Sequence, residues 1–319
     1  MPPPRAARPP AASPRSTPSD LDRLLTVSSV EHLNADEPAS RTGGGLVRVR
    51  LGISYDGTAL HGWARQPAQR TVQGELELGL ATVLRRDVDL TVAGRTDAGV
   101  HATGQVAHTD LPAALVEEHA GKLLRRLRGV LPADIAVTGA QVVSPDFDAR
   151  FAALARHYVY RLTDAEAGPP PLRRADTAAW GRRLDASRMR VAAALLLGQQ
   201  DFAAYCRRRE GATTIRTLLQ LDVERCDQVI EIRASADAFC HSMVRSLVGA
   251  LIAVGEGRRE PGWPASLLSL TSRANDVPVA PAGGLTLVRV DYPDESQLAA
   301  RTLVTRAKRS TDPHPPTAR

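Results

Sequence analysis

Residues 46–55, LVRVRLGISY, alternate apolar side chains at 47, 49, 51 and 53 with polar or small ones, the period of a half-buried strand. After Asp56-Gly57 and the loop HGWARQPAQR (61–70), the period changes: Val72, Leu76, Leu80 and Leu84 recur at helical spacing. Thr71 is placed to cap that helix, and Arg85 and Arg86 suit its C-terminal dipole. Strands are expected at 88–93 and 104–109, a charged helix over 112–128 and a strand over 134–143. Further on, RHYVYRL (156–162) reads as a strand and Asp185 as the cap of a helix through MRVAAALLL. LLQLDVER (218–225) and QVIEIRAS (228–235) read as a hairpin turning near Cys226-Asp227. FCHSMVRSLVGALIAVG (239–255) reads as a helix with Phe239, Met243, Leu247, Ala250, Leu251 and Val254 on one face, and LTLVRV (285–290) as a last strand.

Paired strands followed by a long helix occur twice, which predicts an α+β fold of two similar units, each an antiparallel sheet covered by helices on one face. The expected boundaries are a disordered Pro/Ala/Arg-rich tail over 1–45, a first half over 46–155, a second over 156–295, and a basic tail over 296–319. The first twenty residues lack an acid until Asp20, as targeting peptides often do, but they hold seven prolines and no apolar core, so they read as a tail instead.

Composition narrows the picture further. The chain has 319 residues, 43% of them hydrophobic, enough for a real core in one to three domains. The most apolar window, SLVGALIAVG (246–255), is shorter than a membrane span and flanked by Arg245 and Glu256. Net charge is +6, and the only lysines are Lys122 and Lys308, so almost all of the positive charge is the planar guanidinium fork that suits phosphate oxygens. GC-rich coding also favours arginine, so the balance alone does not establish a nucleic-acid partner. Cys206, Cys226 and Cys240 have no metal-site spacing and are read as reduced structural thiols of a cytoplasmic protein.

AGRTDAGVHA (93–102) is a small-residue turn between two expected strands, holding Arg95 and Asp97. As chemistry of turns, Gly94 and Gly99 make the bend while Thr96 and Asp97 bond to nearby amides. As chemistry of a site, a short-side-chain turn presents Asp97 with room for a bulky ligand above it. The longer string VAGRTDAGVHATGQVAH (92–108) resembles the active-site segment of the tRNA pseudouridine synthase A family. The resemblance extends in order through ISYDGTALHGWARQ (53–66), TVQGELE (71–77), LPADIAV (131–137), FDARFAALARHYVYRL (147–162), DFAAYC (201–206), FCHSMVRSLVGALIAVG (239–255) and GLTLVRVDYP (284–293).

That resemblance implies the pseudouridine synthase fold, with a cleft between the halves, and isomerisation of uridine to pseudouridine at positions 38, 39 and 40 of the tRNA anticodon stem-loop. It implies no cofactor and no metal, a homodimer with tRNA across both subunits, a cytoplasmic setting and no membrane. Asp97 matches the family's catalytic aspartate; it leaves open attack at C6, attack at C1′ or an elimination route. An enclosed carboxylate must be compensated to stay charged, and Arg245 matches the arginine that pairs with it. Tyr158 matches the tyrosine that lies against the base, by stacking and with a hydroxyl that could take part in proton removal from C5, while Tyr160 on the same face is packing. Arg95, two residues before Asp97 and on the same side of an extended stretch, is expected to act beside it by gripping a flanking phosphate or helping to extrude the nucleotide. His101 and His108 read as scaffold, and Trp63 with Arg65 and Gln66 as a loop over the site, an RNA-contact surface or a packed ring. Lys122, Arg125, Arg126, Arg128 and the run 207–209 could follow an RNA backbone or simply be solvated. Two departures stand out: LRRLRGVLP (124–132) lacks the family's asparagine, and the N-terminal tail is an addition.

An RNA-binding protein of the same fold without catalysis, and a synthase acting on other RNA sites, are the alternatives. A carboxylate-dependent hydrolase would need a second acid or a metal set near Asp97, which the sequence does not offer.

Overall fold

The computed structural model describes residues 45–207 and 213–306; the expected tail over 1–45, save its last residue, the arginines at 208 and 209 and the end of the chain beyond 306 lie outside them. Among the described residues ten strands form one sheet. In chain order they are β1 (Leu46–Tyr55), β2 (Thr91–Val92), β3 (His101–Pro112), β4 (Ile135–Val143), β5 (Ala155–Thr163), β6 (Ala178–Ala179), β7 (Gly198–Asp201), β8 (Ile215–Cys226), β9 (Val229–Ala236) and β10 (Leu285–Asp291). The main path runs β4-β1-β3-β10-β5-β9-β8-β7, with β2 beside β3 and β6 beside β5. Neighbours on this path are antiparallel except at β3 and β10, which meet in parallel where His101 and Ala102 face Thr286 and Leu287. The two antiparallel ladders expected from the sequence are therefore continuous across that seam.

The helices are α1 (Val72–Leu84), α2 (Ala113–Glu118), α3 (Leu123–Val130), α4 (Ala186–Ala194), α5 (Met243–Gly255), α6 (Trp263–Ser266) and α7 (Leu298–Arg306). α1 starts where Thr71 accepts a bond from the Gly74 amide, and it buries Val72, Leu76, Leu80 and Leu84 against Val49, Leu51 and Ile53 of β1. Asp185 caps α4 by accepting from the Ser187 and Arg188 amides. α4 and α5 pack on β5, β8 and β9 in a second cluster that includes Met189, Leu247, Leu251, Leu221 and Ile232. The single charged helix expected over 112–128 is instead two short ones, α2 and α3, separated by residues 119–122, where Gly121 takes a φ of 67°. The β8–β9 hairpin turns through Asp227 at φ 53°, as its sequence predicts.

One reading from composition is corrected. Cys206 and Cys240 are joined as a disulfide with Cα atoms 5.7 Å apart, and Cys226 alone is free. A separation of 34 residues carries no pairing signal in the sequence; the fold brings the two together.

Candidate active site

The turn 93–100 is fixed from below by hydrogen bonds to its backbone. Trp63 donates its amide to the Thr96 carbonyl at 3.0 Å, and Gly99 donates to Leu60 at 3.2 Å. The Gln105 amide donates to the Gly94 carbonyl at 2.9 Å, and the Arg156 guanidinium to the Ala93 carbonyl at 2.8 Å. The Thr96 and Tyr55 hydroxyls pair at 2.8 Å in the interior. Gly62, at φ 85°, lies so close that a Cβ there would stand 2.8 Å from the Thr96 carbonyl oxygen and 3.1 Å from the Asp97 carbonyl carbon. Asp97 thus sits on a segment whose position is set by buried scaffolding, as a reacting group requires. Gly99 takes a φ of 77°, whereas Gly94 has open space around it and no positive φ, so only one of the two glycines read as making the bend needs to be glycine.

Arg245 comes from the other cluster. α5 buries every residue except Arg245, whose side chain is 20% exposed. A helix apolar all round has no solvated face to spare for an arginine. Its Nε donates to the Ala280 carbonyl at 2.8 Å, and a terminal nitrogen lies 3.5 Å from Asp97 Oδ2. Two further side chains meet the same carboxylate: Ser242 Oγ donates to Oδ2 at 3.0 Å, and His241 Nε2 lies 3.2 Å from Oδ1. The sequence pattern singles out only Arg245 in FCHSMVR and runs the helix back to Phe239; α5 starts at Met243 instead, so Ser242, expected inside a helix, stands just before it.

Tyr158 lies on β5 between the two clusters, half-buried, with its ring edge-on to Phe239 at 5.3 Å. Burial pushes its phenol well above the usual tyrosine range, Tyr55 and the Asp97 charge push it further, and Arg156 opposes them. Arg156 itself is buried, and its guanidinium donates to the carbonyls of Ala93, Arg150 and Asp237, tying the turn to the ends of two other segments. Arg95 is exposed and takes part in no hydrogen bond or ion pair among the described residues, so the structure brings together Asp97, Arg245 and Tyr158 and leaves Arg95 at the rim.

Other candidates resolve into scaffold. His101 accepts from the Gly57 amide at 3.0 Å and contacts Asp56 and the Gly283 carbonyl; His108 accepts from the Ala149 amide at 3.1 Å. Trp63 is 1% exposed and packs against Tyr55, so it is core. Lys122, Arg125, Arg126 and Arg128 are all exposed on or beside α3. Among the described residues no group of three or more His, Cys, Asp or Glu side chains is placed to hold a metal ion, and no helix is long and apolar enough to cross a membrane.

A family model described as tRNA pseudouridine synthase matches residues 192–293. Over 267 residues the chain is 60% identical to the tRNA pseudouridine synthase A of Frankia casuarinae, covering 83% of this chain and 96% of that one. The chain belongs to the tRNA pseudouridine synthase A family. The Corynebacterium glutamicum member is 53% identical, with 82% and 95% of the two chains covered, and the Mycobacterium leprae member 50% identical, with 83% and 96% covered. These alignments span nearly the whole of each relative, so family membership extends over both ladders.

Proposed function

We propose that this chain is an isomerase that converts uridine to pseudouridine in tRNA, at positions 38, 39 and 40 of the anticodon stem-loop, with Asp97 as nucleophile. The observation that carries the reading is the pairing of Asp97 with Arg245 at 3.5 Å beneath a carboxylate still 25% exposed, in a chain 60% identical to a named tRNA pseudouridine synthase A. The reaction breaks the N1–C1′ bond and forms C5–C1′; C5 loses a proton and N1 gains one, so nothing is oxidised and no cofactor is consumed. A carboxylate that attacks must be charged, and the guanidinium beside it supplies the compensating charge.

Tyr158, against Phe239, offers a ring on which the uracil can stack. The target nucleotide has to leave the stack, because Asp97 cannot otherwise reach the sugar–base junction. Arg95 at the rim and the exposed basic residues of α3 are suited to flanking phosphates, where contacts position without specifying sequence. We take 46–155 and 156–295 as the two halves, the protein as a homodimer and the cytoplasm as its setting.

The test is incubation with unmodified tRNA and chemical mapping of pseudouridine, beside Asp97→Ala. Conversion at the anticodon arm by wild type and none by the variant is expected. An active alanine variant removes Asp97 from the chemistry; tRNA binding without conversion by wild type favours a binding protein.

A further inference from the structure

The residue before α5 is in an unusual state. Ser242 stands at the N-cap with φ 63° and ψ 9°, in the left-handed region, and makes no side-chain capping bond. A capping serine normally adopts an extended backbone and accepts from the second or third amide of its helix. The left-handed region is unfavourable for a residue with a Cβ, and such strain persists only where the surroundings enforce it. Here they do. Met243 donates its amide to the Cys240 carbonyl, Ser246 donates to the Ser242 carbonyl, and Arg207 donates to the His241 carbonyl.

What this conformation gains is the direction of the hydroxyl. Ser242 Oγ donates to Asp97 Oδ2 at 3.0 Å, the same oxygen that faces Arg245. Oδ1 has the His241 ring at 3.2 Å as its partner. An ionised carboxylate has about four lone-pair sites, so a doubly contacted Oδ2 leaves Oδ1 as the oxygen with more accepting capacity free.

We propose that Ser242 is a positioning residue for the reaction: it forgoes capping α5 so that its hydroxyl, with Arg245, locks Asp97 Oδ2 and presents Oδ1 as the attacking oxygen. The inference rests on the reading of Asp97 as nucleophile. It adds a role for a residue that does not itself touch the uridine. Helix capping and carboxylate orientation compete for one hydroxyl, and the backbone has settled the competition in favour of the carboxylate.

The two roles separate in Ser242→Gly and Ser242→Asn. Glycine takes the left-handed conformation freely, and asparagine tolerates it while returning a donor. Pseudouridine formation is measured in single turnover at saturating tRNA, together with tRNA affinity and melting temperature. Ser242→Gly is expected to melt at or above the wild-type temperature and to bind tRNA as wild type does. Its rate should fall by about ten- to a hundredfold, the equivalent of one hydrogen bond to a charged group. Ser242→Asn is expected to recover part of that rate. Ser242→Gly at the wild-type rate overturns the proposal, as does a loss confined to tRNA affinity, which would make Ser242 an RNA contact. Wild type that forms no pseudouridine would remove the functional reading and this inference with it; wild-type conversion matched by Ser242→Gly removes this inference alone.

Discussion

Gly62→Ala is the sharpest probe of how the scaffold fixes the catalytic turn. The native φ of 85° is one that a residue with a Cβ adopts at a cost of about 1–2 kcal/mol. The added methyl would stand 2.8 Å from the Thr96 carbonyl oxygen and about as close to Asp97 and Ala98 backbone atoms, all rigid. Relieving such overpacking costs about 1–3 kcal/mol more. For a domain of this size each kcal/mol lowers the melting temperature by about 2–4 °C, so a fall of about 10 °C is expected. Relieving the contact separates residues 96–98 from residue 62, and the part of that shift taken up by 96–98 carries Asp97 with it. A displacement approaching 1 Å at a reacting group can cost about a hundredfold in rate. Gly94→Ala, in the same turn but with open space around it and no positive φ, serves as the control and should leave both quantities near wild type. Differential scanning calorimetry and single-turnover conversion well below either melting temperature are the assays. Gly62→Ala that melts and reacts like Gly94→Ala would show that the position of the turn is not set by this contact.

Arg245→Lys keeps the charge near Asp97 but not the fork that also bonds Ala280, so single-turnover conversion should fall by about tenfold or more with tRNA affinity retained; an unchanged rate would reduce Arg245 to a point charge. All five tyrosines are pushed above their usual range chiefly by burial, Tyr55 to about 12. Because the folded values exceed the unfolded one, their contribution to stability is complete below about pH 10 and is lost as pH rises toward 12. Absorbance at 295 nm should accordingly show phenolate appearing together with unfolding, and gradual ionisation from pH 10 in the folded protein would contradict it. On the acid side, hydrogen bonds from Arg225 hold Asp164 down to about 2, so its contribution is present above about pH 4 and lost as pH falls through 2. Asp164→Asn should flatten that part of an acid-unfolding profile, and an unchanged profile would show that the pair is not coupled to folding.

Elements with a strong period were legible without the structure. β1 alternates because one face is core, α1 repeats at helical spacing because one stripe is core, and both were placed within a residue or two. β7, GQQD, has no apolar alternation and exists through its pairing with β8, a tertiary fact. The break between α2 and α3 hinged on one glycine in a charged run that kept its helical composition on both sides. At the site, Asp97 was ambiguous as a turn residue and gained its meaning from the ordered resemblance. Ser242 and His241 were illegible because the apolar helical period ran through them from Phe239, whereas the helix begins at Met243 and leaves both on the segment before it, where the Ser242 hydroxyl reaches Asp97.

The carboxylate stands on the turn after β2 while its partners stand on and just before α5, far away in sequence, so something must set the distance between them. The parallel contact of β3 with β10 is only two residue pairs long. The segment just before β10 supplies the rest. Ala280 holds Arg245 from both sides, its carbonyl accepting from Nε at 2.8 Å and its amide donating to the Arg245 carbonyl at 3.0 Å. Two residues on, Ala282 lies under Gly99 of the catalytic turn, where a Cβ would stand 3.1 Å away. The Gly283 carbonyl meets His101, whose other ring nitrogen accepts from Gly57 in the loop that braces that turn. Residues 280–283 therefore touch the arginine on one side and the aspartate's turn on the other. His101, read as scaffold from the sequence, serves the site by closing this bridge, and the separation of charge at Asp97 and Arg245 is set by backbone contacts instead of by the long side chain alone.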